Sequence, residues 1–146
     1  MVTAALAGEV TAAGVHVSWA VVGDALEVTT RAETSGWVLV GFHSRSALAG
    51  SRLVMAAVTD AGPRLEEHVA DPPNHAARSM GAVASMISVT EEGGTTTARF
   101  QVPLDPEDPT LPTLVPGQRT WLWLATSNHD DFQHHSARRE GVWVSL

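Results

Sequence analysis

The densest group of chemically capable side chains is HDDFQHH (129–135), where three imidazoles and two carboxylates fall within seven residues. Neutral imidazole is a ligand for iron, copper, zinc and nickel, and carboxylates suit harder cations. Two chemistries fit this segment. One is a divalent-metal site built from His129, Asp130, His134 and His135. The other is a haem iron held by His134 or His135. A solvated loop tip uses the same residue types, and the cluster alone does not separate these readings. His43 stands where an apolar run meets Ser44-Arg45-Ser46, at the rim of a core where a ligand would sit. Met55, Met80 and Met86 could hold haem iron through sulfur, although Met more often fills gaps in cores. His16 is out of phase with its apolar neighbours, and His68 and His75 have no partner at a telling spacing. All three read as surface residues.

The segments that must position these groups are strands. VHVSWAVVGD (15–24) places Val15, Val17 and Trp19 on one face, and ALEVTTRAET (25–34) alternates through Leu26, Val28 and Thr30 after the Gly23-Asp24 turn. GWVLVGF (36–42) is continuously apolar, the pattern of a strand buried on both faces. RLVMAAVTD (52–60) and RLEEHVA (64–70) follow, separated by Asp60-Ala61-Gly62-Pro63, and Asp71-Pro72-Pro73-Asn74 breaks the chain. MGAVASMISVTEE (80–92) is less regular. No segment shows a helical period with caps, and the 80–90 stretch comes nearest to one. TTTARFQVPL (95–104), RTWLWLATS (119–127) and GVWVSL (141–146) complete the set, and DPEDPTLPTLVPG (105–117) is a loop holding four of the eight prolines. Strands of this length separated by turn signals predict an all-β fold, an antiparallel β-sandwich. With 146 residues, no repeat and no linker, the expectation is one domain over 1–146. All five Trp lie in expected strands. Trp121 and Trp123 share a strand face, which is either core or the wall of a pocket for a flat ligand.

Composition removes several function classes. Nine basic residues, all Arg, stand against 16 acidic ones, a net charge of −7, so phosphate would be repelled and nucleic-acid binding is not expected. There is no Cys, which excludes disulfides, thiolate zinc, iron–sulfur clusters and covalent c-type haem. The longest apolar run falls far short of the roughly 20 residues that span a bilayer, so membrane insertion is not expected. MVTAALAGEVTAAG lacks the basic stretch and apolar run of a signal peptide. G-x-S-x-G, phosphate-binding glycine loops, H-E-x-x-H and calcium loops are absent, and no spacing pairs a nucleophile with a base. No residue is assigned a catalytic role.

WAVVGDALEV (19–28), TSGWVLVGF (34–42) and LAGS (48–51) together resemble the DOMON domain, in particular its haem-binding cytochrome branch, typified by the cytochrome domain of cellobiose dehydrogenase and related secreted b-type cytochromes. The segments 95–104, 121–127 and 141–146 fit the same pattern, so the resemblance covers nearly the whole chain. It implies an immunoglobulin-like β-sandwich binding one b-type haem non-covalently, a redox role, a redox partner protein or small-molecule ligand, and export from the cytoplasm. In that branch iron is ligated by a Met in a Met-x-Gly-Ser-like turn and by a His before the last strand. The His maps to His135, with His134 as its neighbour. The Met maps to Leu48, which cannot donate an electron pair to iron. The resemblance therefore implies one of three states: a substitute sixth ligand (His43 first, then Met55 or Met80), an open sixth position under Leu48, or no haem. Propionates would pair with Arg45, Arg52, Arg138 or Arg139, which flank the two ligand connections, 43–52 and 128–139. Those connections are expected to converge on one edge. The rival readings are a carbohydrate- or aromatic-ligand module using Trp121 and Trp123, and the divalent-metal site.

Overall fold

Alternation of apolar and polar residues along short, turn-punctuated segments can bury one face of each strand only by pairing two sheets. The computed structural model describes residues 7–47, 50–71, 76–79, 84–105, 112–130 and 136–146 and has that form. Its strands are β1 (Ala7–Ala12), β2 (Val15–Val22), β3 (Ala25–Ala32), β4 (Val38–His43), β5 (Arg52–Thr59), β6 (Gly62–Asp71), β7 (Ala76–Ser79), β8 (Ser85–Glu92), β9 (Thr95–Pro103), β10 (Arg119–Thr126) and β11 (Arg138–Ser145). They form a five-stranded sheet ordered β1-β2-β3-β9-β8 and a six-stranded sheet ordered β11-β10-β4-β5-β6-β7. Every pairing is antiparallel. The described residues include no helix, and so none long and apolar enough to cross a membrane.

Four elements differ from expectation. The 80–90 stretch, the nearest to a helical pattern, contributes β8 from Ser85 onward. Its hairpin partner is β9, and Gly93-Gly94 at positive φ makes the two-residue turn. β1 and β7 are additional edge strands. β11 begins at Arg138, three residues before the apolar GVWVSL segment, because its polar start continues the ladder with β10.

Between the sheets, β2, β3 and β9 contribute Val17, Leu26, Val28, Phe100 and Val102, while β4, β5 and β10 contribute Val40, Phe42, Val54, Leu122 and Leu124. One ion pair lies fully inside this layer. Arg52 Nε donates to Glu67 Oε1 at 2.8 Å with both side chains wholly buried, and Arg52 Nη1 donates to the Pro103 carbonyl of the opposite sheet at 3.1 Å. This corrects the expectation that Arg52 is a rim charge available to a ligand. Arg52 shares its strand face with Val54 and Ala56, so its side chain enters the core and needs Glu67 as a buried partner.

Candidate functional site

A strand with one solvated face alternates buried and exposed residues, as β2, β3 and β9 do. β4 does not alternate: all six of its residues are buried, and so are the first six of β5. The run expected to be buried on both faces is so. Trp37, Leu39, Leu53, Met55, Ala57 and Ala125, with Trp123 at their margin, form a second apolar cluster on the face of the six-stranded sheet turned away from the core. The register aligns them in two rows. Trp123 stands beside Gly41, Leu53 and His68, and Ala125 beside Leu39, Met55 and Glu66.

The cluster has polar and aromatic borders. On β6, Arg64, Glu66 and His68 occupy the outward positions; Glu66 pairs with Arg64, and its Oε1 lies 3.2 Å from His68 Nε2. His68 is 1% exposed, which corrects its reading as a surface residue. It lies beside Leu53 on the covered face, where the side-chain layer that buries β5 buries His68 too. On the other border, Trp121 contacts Trp123 and Trp143 edge-to-face, with centroids 5.5 and 5.2 Å apart. Arg119 sits over the Trp143 ring at 4.6 Å. Gly141 is required here, because a Cβ would collide with the Trp121 ring lying across it. The interplanar angles of 85° and 69° mean that Trp121 and Trp123 do not present one flat stacking platform.

The connection after β4 turns back over this face. Ala47 O accepts from Trp123 Nε1 at 3.2 Å and from Ser51 Oγ at 3.0 Å. A Cβ on Gly50 would lie 3.4 Å from His43 Nε2. His43 is buried on the same face, and its Nδ1 accepts the Ser44 N–H at 2.8 Å. Its other ring nitrogen, Nε2, is the one beside Gly50. Leu48 lies outside the described residues.

The connection after β10 starts from the other end of the strand pair. Trp121 aligns with His43 and Thr126 with Val38, so the 44–51 and 127–137 connections leave opposite ends of β4 and β10. In an antiparallel pair the loop after one strand lies beside the start of its neighbour, and the segments on which their expected convergence depends, 48–49 and 131–135, lie outside the described residues. The second connection is tied down at its root. Trp37 N donates to His129 O and Ser127 N to Trp37 O, both at 3.0 Å, and Ala137 N donates to Thr126 O at 2.7 Å.

His134, His135 and Met80 lie outside the described residues, as does His75. Met55 is 3% exposed within the outer cluster. It aligns with Leu39, four residues from His43 along β4, or roughly 13 Å of strand. Arg45 and Arg139 are exposed. Arg138 lies at the far end against Gly14, where a Cβ would be 2.6 Å from its Nη1, rather than over the apolar cluster. The described residues contain no group of three His, Cys, Asp or Glu arranged to hold a metal ion.

Among the described residues, the indole Nε1 atoms of Trp37 and Trp121, like that of Trp19, are buried without a hydrogen-bond partner, and each such group costs about 1–3 kcal/mol. The signal for the Arg52–Glu67 pair was present in the sequence, since each charge is in phase with apolar residues of its own strand.

Comparison with known families aligns residues 12–141 with the DOMON domain. No curated protein matches the chain.

Proposed function

The chain belongs to the DOMON family, and on that premise we propose that it carries one b-type haem non-covalently against the outer face of its six-stranded sheet. The observation that carries this reading is the second apolar layer, since a solvated sheet face does not place Leu39, Leu53, Met55 and Ala125 in a buried cluster. These side chains and Trp123 are the residues that would rest against the macrocycle. His135, or its neighbour His134, would supply the proximal imidazole from the 127–137 connection. Leu48 occupies the position of the family's axial Met. Ala47, the residue before it in sequence, accepts a hydrogen bond from Trp123. Arg45 and Arg139 are exposed and suited to hydrated propionates.

When bound, the haem would supply one-electron chemistry with a redox partner if a second ligand completes the iron, or small-ligand binding if the sixth position is open. The protein's part is to exclude water from one side with aliphatic and indole groups and to offer the imidazole in its neutral form. Export from the cytoplasm goes with this reading. The carbohydrate or aromatic platform is less well supported, because the tryptophans that would form it pack edge-to-face.

The test is an absorption spectrum of the full chain before and after addition of haem. The expected result is a Soret band with one-to-one stoichiometry, lost in His135→Ala and retained in His134→Ala, or the reverse. A protein that remains colourless with haem added, or a Soret band that persists when both His are replaced, contradicts the proposal.

A further inference from the structure

The end of the sandwich carrying the β1–β2 turn holds a separate cleft of about 660 Å³, a size typical of small-molecule sites. Both sheets line it. Arg31, Glu33 and Thr34 come from the end of β3 and its continuation, while Thr126, Asn128 and Arg138 come from the end of β10 and the start of β11. Its chemistry is the reverse of the outer face. The walls are hydroxyl, amide, small-aliphatic and charged groups, with no large apolar side chain among them, so a macrocycle does not fit.

The charges are unevenly matched. Among the described residues, neither Arg31 nor Arg138 forms an ion pair. The nearby carboxylates contact other residues of the lining: Glu9 lies 3.5 Å from His16 Nε2, and Glu140 Oε2 accepts the Ala13 N–H at 3.3 Å. Among the described residues that line the cleft, Glu33 is the acidic one beside Arg31, Arg138 and His16, and Glu140 reaches its rim at Ala13. A chain of net charge −7 thus places in one concavity two guanidinium groups that form no ion pair among the described residues. Arg138 is accommodated by the backbone. Gly14 has φ +75°, and any Cβ there would crowd Arg138 Nη1, so the turn is cut away where the guanidinium lies. The wall behind it is firm, because Thr34 Oγ1 donates to Ser127 O and joins the two sheets.

We propose that this cleft binds a small oxyanion, a carboxylate or phosphoryl group, held by Arg31 of the five-stranded sheet and Arg138 of the six-stranded sheet. Guanidinium groups recognise both through charge-assisted hydrogen bonds. Asn128 and Thr95 add side chains that bond to no other described residue.

The test is an NMR titration of the full chain with inorganic phosphate and, separately, with succinate. The expected result is saturable shifts of the Gly14, Thr34 and Asn128 amides with one or both anions. Response to phosphate alone identifies a phosphoryl ligand, and response to succinate alone a carboxylate. Arg31→Gln and Arg138→Gln should each weaken binding about tenfold, the loss of one charge-assisted contact, and Glu33→Gln should tighten it. Both arginines are exposed, so the variants should keep the native spectrum. The proposal is overturned if neither anion moves these amides at about 10 mM, a concentration well above a millimolar Kd. It is also overturned if the Arg31→Gln/Arg138→Gln double variant binds as the wild type does.

Discussion

The outward faces of the two sheets have been built by opposite rules. On the five-stranded sheet, β3 and β9 turn Glu27, Thr29, Arg99 and Gln101 outward. Arg99 Nη2 and Gln101 Nε2 both reach the Glu27 carboxylate, at 2.9 and 3.3 Å. These are cross-strand polar pairs on a wet surface, each contributing a few tenths of a kcal/mol to about 1 kcal/mol. On the six-stranded sheet the equivalent positions carry Leu39, Leu53, Met55 and Ala125, and Trp123 at their margin bonds to Ala47 O of the connection after β4. A sandwich needs only one buried face per sheet. The second buried face exceeds what folding requires, and for that reason it is the face to which a ligand is assigned.

The comparison can be broken most sharply with a charge. Leu39→Asp should destabilise the protein by about 3–5 kcal/mol, the penalty for an unpaired buried carboxylate. Thr29→Asp at the matching place on the other sheet should stay within about 0.5 kcal/mol. Urea unfolding of the two variants measures both, and equal effects would abolish the distinction between the faces. A milder probe removes volume. Met55→Ala should cost about 2–3 kcal/mol, whereas Arg99→Gln, which loses only an exposed ion pair, should cost no more than about 0.5 kcal/mol in the same assay. The smallest effect is expected at the loop anchor. Trp123→Phe keeps the ring but loses the bond to Ala47 O, about 1 kcal/mol, and should speed amide exchange in 44–51 more than in the β8–β9 hairpin.

Much of this contrast was legible in the residues. Strict alternation in 15–22, 25–32 and 95–103 marks strands with one wet face, and the unbroken apolar run 36–42 marks one with none. Strand β1 escaped notice because Ala, Gly and Thr give it little amphipathic signal, and β7 because its four residues sit between Pro-rich and Gly-containing stretches. The pairing of β4 with β10 joins segments about 80 residues apart in sequence. No local pattern encodes such a partner, so the opposite placement of the two candidate ligand connections could not be read in advance. His68 was misjudged for a related reason: burial of the outward face of β6 depends on neighbours supplied by distant strands. The family match supports the sandwich and the DOMON assignment.

Hydrogen exchange followed by mass spectrometry, with and without added haem, tests the central claim most directly. The outer-face account predicts new protection in β4, β5, β10 and the 44–51 and 127–137 connections, with β2, β3 and β9 unchanged. Protection centred on the five-stranded sheet, or none anywhere under saturating haem, would contradict it.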